Sequence, residues 1–392
     1  MGGTHSMKTI RVKQLRQGTP SIALDSVDTP VLSHPQEVLV RVLAVGLDGT
    51  DREILQEKYG TPPEGEDDLT TGHESLGVVS EAGADSGFQA GDLVTAIVRR
   101  PCKEQSCVNC RNGHADFCQT GKYVERGIKG AHGFLSEYYK EEARYLVQVP
   151  TDLLEHGMLV EPQSIVEKVW DQVQRVQQRL IWEPRTALIL GSGPLGLLAA
   201  MTCRVLGLDV YVWSMSPQDG LQAQLVQACG AVYQQAGAAG SGQTLTAYAD
   251  GLGKPIDLIL ECTGFSPLAF EAMAVLAPGG VLALLGVTPA DRKLEIASDM
   301  LNQSMVLENK CVIGSVNASR KDFETAIYRL QQMEKLSPGW LSRLVTNRMQ
   351  LEDLLQLDFK SIPIKAVVDF VPTGQWGELV KQTKEVVYSF SV

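Results

Sequence analysis

Several common features are missing from this 392-residue sequence, and each absence excludes something. Positive charge is not in excess. Lys and Arg number 35 against 46 Asp and Glu, giving a formal net charge of −11. Neither nucleic acid nor an anionic membrane surface is therefore an expected partner. Spread over this length, the charge is also too modest to mark a salt-adapted surface. No basic-then-apolar leader is seen, so export is not expected and a cytoplasmic location is. The opening "MGGTHS" before Met7 is expected to stand apart from the fold. Internal repeats and low-complexity tracts are absent. Long unbroken apolar runs are absent too. Residues 186–203 and 272–290 lack charge, but Gly and Pro interrupt both, in "GSGPLG" and "APGGV". Short strands with turns, or a strand–turn–helix, fit these stretches better than membrane helices.

What is present points to a sizeable globular protein. The hydrophobic fraction is 44%, ample for packed cores, and the length suits roughly two to three domains. The 37 glycines imply many tight turns or close backbone approaches. Residues 8–150 are rich in short alternating runs. "EVLVRVLAVGL", "LGVVSEAG", "DLVTAIV" and "YLVQVP" read as strands. From Val160 the pattern changes. Ile165, Val169, Val173, Val176 and Leu180 recur at helical spacing. Strand and helix patterns then alternate: "TALIL", "GPLGLLAAMTCRVLG", "DVYVWS", "PQDGLQAQLVQACG" closed by Gly230, "IDLILECTG" and "GGVLALLG". Such alternation predicts a parallel, doubly wound sheet. A further helix is expected over about 320–334, and "IKAVVDF" reads as a strand that could return to the first region. The expected organisation is a β-rich domain at 7–165, a nucleotide domain at 166–316, and a segment at 317–392 that rejoins the first.

Within "ALILGSGPLGLLAA", Gly191-Ser192-Gly193-Pro194-Leu195-Gly196 forms a G-x-G-x-x-G run. The motif alone is weak. Here it follows an apolar strand and opens a helix, which is the context dinucleotide binding needs. The first Gly permits the tight turn, the second lets backbone approach a pyrophosphate, and the third permits close helix–strand packing. The helix N-terminus then offers free N–H groups to the anion. An NAD site usually has a carboxylate at the end of the second strand. That place reads Trp213-Ser214-Met215-Ser216. Hydroxyls with no anion nearby favour NADP over NAD, without excluding NAD.

Four of the eight cysteines, Cys102, Cys107, Cys110 and Cys118, fall in a C-x4-C-x2-C-x7-C lobe at about 101–119. Four thiolates so close suit a closed, structural tetrahedral zinc. The alternative is a loop of reduced, unliganded thiols. His114 lies inside the lobe, but four sulfurs already complete a zinc shell, so a solvated loop position is expected. Asp48 poses a sharper question. In "GLDGTDREI" it reads first as a turn residue. Yet "GHE" supplies His73 and Glu74, and "VEP" supplies Glu161. One imidazole and three carboxylates would make a hard, open zinc site suited to Lewis-acid work.

The order "DGTDRE … GHE … C-x4-C-x2-C-x7-C … VEP … GSGPLG … GSVNA" resembles the zinc-dependent medium-chain dehydrogenases across nearly the whole chain. "GTDREI", "ERGIKGAHGF" and "NKCVIGSVNA" are most similar to their glucose (aldose) 1-dehydrogenase branch. The resemblance implies a GroES-like β domain followed by a Rossmann domain. It implies two zinc ions per chain, a sugar substrate, and a homo-oligomer, dimer or tetramer. By that match Asp48 stands where most of the superfamily has cysteine, and it becomes a catalytic zinc ligand with His73. Glu161 matches an acidic residue that ligates directly or through water, and Glu74 one that can exchange onto the metal. Thr50 matches a proton relay. Ser192, Ser214, Ser216, Thr263 and Asn317 would join the glycine run at the cofactor, and Glu125 and Asn317, with Thr50, would bind the sugar. The implied reaction is oxidation of an aldose, D-glucose foremost, to its lactone. A polyol or simple alcohol dehydrogenase is the alternative. A zinc-free NADPH-binding protein without dehydrogenase activity is a remoter one.

Overall fold

The strand Glu37–Leu47 shows how the first part of the chain is organised. Its eleven residues are nearly all apolar and nearly all buried, as suits a strand covered on both faces. It hydrogen-bonds antiparallel to Glu74–Ala82, to Lys365–Asp369 and to Tyr138–Glu142. Leu146–Gln148, Leu93–Ala96 and Val345–Met349 complete this seven-stranded sheet. Val40, Val42 and Val45 pack with Ile10, Val12, Ile54, Leu69, Phe134 and Val368 in one core. A computed structural model describes residues 6–15, 21–57, 59–237, 244–287 and 291–389. They fall into two units. One holds the described residues up to 164 together with 317–331 and those from 344 onward. The other holds 165–316 and 332–343.

Two small sheets complete the first unit. Ser6–Lys13 lies between Ser21–Asp28 and Leu69–Thr70. Arg99–Arg100, Val124–Arg126 and Gly130–Ala131 form the other, with Arg99 directly opposite Glu125. The second unit is a six-stranded, wholly parallel sheet. Its strand order is Val232–Gln235, Asp209–Ser214, Thr186–Leu190, Leu258–Glu261, Val281–Leu284, Cys311–Gly314. Numbered along the chain this is 3-2-1-4-5-6, the doubly wound order of dinucleotide-binding folds. Ala187, Leu188, Ile189 and Leu190 are fully buried at its centre.

Some elements depart from the sequence-based expectation. The helix of Val160–Gln177 stops before Leu180, so its buried face is Val166, Val169 and Val173. Ser6 is not apart from the fold, since it pairs with Asp28. The rest of "MGGTHS", and Ala290 at the end of the second charge-free stretch, lie outside the described residues. The helix Leu221–Ala228 ends as expected, with Gly230 at φ +79° just beyond its cap. Among the described residues no helix is long and apolar enough to cross a membrane.

Gly127 is a position only glycine fits. Its φ is +76°, and a Cβ there would meet the Gly72 carbonyl oxygen at 2.5 Å. Gly127→Ala should therefore lower stability by about 2–4 kcal/mol, combining left-handed strain with an overpacked contact. Urea unfolding measures this, and an unchanged midpoint would show that the turn relaxes freely.

Candidate metal, dinucleotide and polar sites

Asp48 follows the strand Glu37–Leu47 and leads into the helix Gly49–Glu57. Its Oδ1 accepts the Asp51 N–H at 3.0 Å, and Asp51 Oδ2 accepts the Asp48 N–H at 3.2 Å. This reciprocal arrangement is a capping box. Its Oδ2 faces elsewhere. It accepts the Thr50 hydroxyl at 3.2 Å and stands 3.6 Å from His73 Nε2. One oxygen closes the turn while the other is turned toward an imidazole. Asp48, His73 and Glu74 each offer a donor atom, and these atoms all lie within 4.8 Å of one another. Glu161, in the first turn of Val160–Gln177, is buried and falls outside that group. Its carboxyl still feels the charges of His73, Glu74 and Asp48.

The electrostatics of this cluster are those of a place short of positive charge. Burial pushes the Asp51 carboxyl up to about 6 and the Glu161 carboxyl up to about 8. Burial also raises Glu74. Burial opposes the charged forms of Asp48 and His73 as well, but their mutual attraction outweighs it. Asp48 is held below the usual carboxylate range and His73 well above the usual imidazole range. A divalent cation would supply the missing charge, and an open set of imidazole and carboxylate donors fits zinc in a catalytic geometry.

Two residues of this cluster were not singled out in the sequence. Asp51 is fully buried; its Oδ1 accepts the Thr71 hydroxyl at 2.8 Å and the Gly72 N–H at 3.0 Å. Its Oδ2 lies 3.8 Å from His73 Nδ1, the ring nitrogen that faces away from Asp48. A carboxylate beside that nitrogen is the usual means of orienting a ligating histidine. Lys365 is also fully buried. It pairs with Glu74 and donates to the Leu47 carbonyl oxygen at 3.3 Å. The available signals were a second aspartate three residues after Asp48 and a lysine opening an apolar strand.

The cysteine lobe contains four free thiols whose sulfurs lie within 4.8 Å of one another. The short helix Val108–Arg111 starts on Cys107 and carries Cys110, and the turn Ala115–Phe117 delivers Cys118. Burial pushes the Cys110 thiol up to about 12. Burial would raise Cys118 too, but hydrogen bonding by Thr120 helps draw it down to about 6. Backbone N–H groups of Cys110 and Gln119 lower Cys107. Four converging sulfurs fit a closed zinc shell. His114 is exposed and outside the sulfur cluster.

In the second unit the glycine run forms a tight turn from strand to helix. Gly191 has φ +101°, and a Cβ on Gly196 would lie 2.2 Å from the Gly191 carbonyl oxygen. Gly193 has nothing within 4 Å of its Cβ position. Pro194 opens the helix Pro194–Val205, and no side chain caps it, so its first N–H groups are left for an anion. Leu195 stands half-buried beside it. The Ser192 hydroxyl donates to Ser214 Oγ at 2.8 Å and Ser216 Oγ at 3.2 Å. Three hydroxyls thus meet where an NAD site would carry a carboxylate. Thr263 N–H donates to the buried Glu261 carboxylate at 2.7 Å, shaping the next strand–helix turn. In the first unit, Asn317 Nδ2 donates to Glu125 Oε1 at 2.9 Å, joining residues 192 apart in sequence. Asn317 adopts φ +62°.

Comparison with known proteins agrees with this geometry. Residues 154–370 match the family described as Glucose dehydrogenase C-terminus, and residues 34–151 match the Alcohol dehydrogenase GroES-like domain. The chain is 42% identical over 319 residues to a glucose 1-dehydrogenase of Methanocella arvoryzae, covering 81% of this chain and 87% of that protein. It is 39% identical over 355 residues to glucose 1-dehydrogenase 1 of Caldivirga maquilingensis, covering 90% and 96%. Among solved structures, Haloferax mediterranei glucose dehydrogenase in complex with NADP, Zn and gluconolactone superposes with a TM-score of 0.84 at 34% identity. That match covers 93% of this chain and all of the other. A GroES-like unit with two converging ligand sets, a doubly wound unit with a glycine fingerprint, and relatives matched over most of their length together place this chain in the glucose dehydrogenase branch of the zinc-dependent medium-chain dehydrogenases.

Proposed function

We propose that this chain oxidises D-glucose, or a close epimer, at C1 to the aldonolactone, with NADP preferred and NAD as the second cofactor. The observation that carries the reading is the meeting of Asp48, His73 and Glu74 donor atoms within 4.8 Å. Zinc held there would polarise the C1 hydroxyl and ease loss of its proton. A nicotinamide held by the second unit would supply the acceptor for the hydride on C1. Asp48, His73 and Glu74 are the proposed ligands, and Glu161, buried and within their electrostatic reach, is proposed to act directly or through water. Asp51 orients His73. The Thr50 hydroxyl, already bonded to Asp48 Oδ2, takes the proton outward. Glu125 and Asn317 read sugar hydroxyls. Gly191, Ser192, Gly193, Pro194, Leu195 and Gly196 cradle the pyrophosphate. Thr263 lines the same site, Asn317 adds a cofactor contact, and the hydroxyls of Ser192, Ser214 and Ser216 suit a 2′-phosphate. Cys102, Cys107, Cys110 and Cys118 hold a second, structural zinc.

The proposed setting is cytoplasmic, where a cluster of four free thiols stays reduced. A homo-oligomer, dimer or tetramer, is proposed as well. Support comes from Cys311–Gly314, an edge strand of the parallel sheet, and from exposed Met300, Val306 and Leu307 in the helix before it.

Three measurements test these assignments. Elemental analysis should find two zinc ions per chain, and mild chelation should empty the mixed-donor site first, because it is open and has no thiolate. One zinc per fully loaded chain would show that one set is misassigned. Asp48→Ala should stay folded while losing turnover and one zinc. Asp48→Cys should keep the metal. Near-normal turnover and zinc content in Asp48→Ala would leave Asp48 as a helix cap only. Finally, a panel of sugars and alcohols with both cofactors should rank glucose or an epimer above ethanol, benzyl alcohol and sorbitol. A site built for several hydroxyls rejects an alcohol that leaves them unpaired. NADP should match or exceed NAD in kcat/KM, and an NAD preference beyond about tenfold, or 1.4 kcal/mol, would overturn that part. Oxidation of simple alcohols without any aldose would favour the general alcohol dehydrogenase reading.

A further inference from the structure

Arg99 belongs to no ligand set, yet its guanidinium makes more directed contacts than most in the chain. It stands opposite Glu125 across the strands Arg99–Arg100 and Val124–Arg126. Both side chains are nearly fully buried, at 5% and 9% exposure. Nε and one terminal nitrogen donate to Glu125 Oε1 at 3.0 and 2.9 Å. Asn317 Nδ2 donates to that same oxygen. Three donors thus saturate Oε1, and among the described residues no hydrogen bond reaches Oε2. The other terminal nitrogen donates to the Asp116 carbonyl oxygen at 3.1 Å. Asp116 lies in the turn Ala115–Phe117, between the third and fourth cysteines of the lobe. The guanidinium face rests on the Tyr123 ring, 3.8 Å from its centroid.

From this arrangement we infer that Arg99 is a positioning residue: it fixes Glu125 so that Oε2 is presented to a sugar hydroxyl, and it ties that orientation to the cysteine lobe. The inference rests on the sugar-binding role proposed for Glu125. An ionised oxygen with open lone pairs is a strong acceptor for an O–H donor. Its direction is set by what immobilises the other oxygen. The planar fork of arginine can hold the carboxylate, the lobe carbonyl and the Tyr123 face at once, whereas a lysine ammonium is a flexible point charge. A shift of the turn Ala115–Phe117 would pull on the guanidinium and swing Oε2. The lobe is then a part of the substrate site, acting through one side chain. By reciprocity, sugar bound at Glu125 must stabilise the lobe.

The test uses the zinc-loaded enzyme. Arg99→Lys should raise KM for glucose roughly tenfold, leaving kcat within about threefold and KM for NADP unchanged. In a Glu125→Gln background the same change should add less than about twofold, because the two act on one contact. In the unmodified enzyme, glucose or gluconolactone should slow amide exchange across residues 114–118, and Arg99→Lys should remove that protection. A parent-like KM in Arg99→Lys, with a raised KM in Glu125→Gln, overturns the positioning role and leaves the sugar role of Glu125 standing. A parent-like KM in Glu125→Gln overturns the sugar role and this inference with it. Unchanged exchange at 114–118 on adding sugar overturns the tie to the lobe, and that measurement decides the matter even if Arg99→Lys fails to fold.

Discussion

Four carboxyl groups, those of Asp48, Asp51, Glu74 and Glu161, meet one imidazole and one ammonium, His73 and Lys365. That surplus of acidic over cationic groups in a buried place is the constraint on which the first unit turns. Isolated carboxylates inside a protein are costly unless paired. Several members are accordingly tethered by more than one contact. Asp48 and Asp51 cap each other's backbone, Asp51 also holds Thr71 and the backbone just before His73, and Lys365 bridges Glu74 and Leu47. The pieces come from residues 48–51, 71–74, 161 and 365. Only a sheet that brings its last strand back beside its longest one can collect them.

That return is made by Lys365–Asp369, which pairs antiparallel with residues 44–47. The pairing register places Lys365 one residue before the partner of Leu47, next to the start of the capped helix. The second unit uses a simpler device. Strand order 3-2-1-4-5-6 puts the glycine turn and the end of the neighbouring strand side by side. The Ser192, Ser214 and Ser216 hydroxyls meet there for that reason alone.

Much of this was legible in the sequence because it is written in local pattern. "EVLVRVLAVGL", "TALIL" and "DVYVWS" became strands over the same residues, Glu37–Leu47, Thr186–Leu190 and Asp209–Ser214. Each carries periodicity or an unbroken buried run. The cysteine spacing foretold a cluster for a similar reason, since its members are near in sequence as well as in space. Asp51, Lys365 and Arg99 were not legible. An aspartate in a turn, a lysine at a strand start and an arginine beside another arginine have ordinary surface readings. Their burial comes from pairing between distant segments, which no window of neighbouring residues records. Val160–Gln177 shows a milder version. Its apolar spacing continues to Leu180, but the chain leaves the helix after Gln177.

The divided labour of Asp48 has an evolutionary consequence. One oxygen closes the first turn of Gly49–Glu57 while the other is directed at His73. A lineage moving between aspartate and a thiol at this position therefore changes two properties in one step. Cysteine brings a softer donor, but its single sulfur cannot serve both the helix and the histidine. Loss of an N-cap acceptor typically costs about 1 kcal/mol. Such a lineage would gain from first strengthening that helix by other means, for instance in its exposed positions. The ligand identity is thus entrenched by the helix that follows it, and the history of the metal preference should be recorded in residues that never approach the metal.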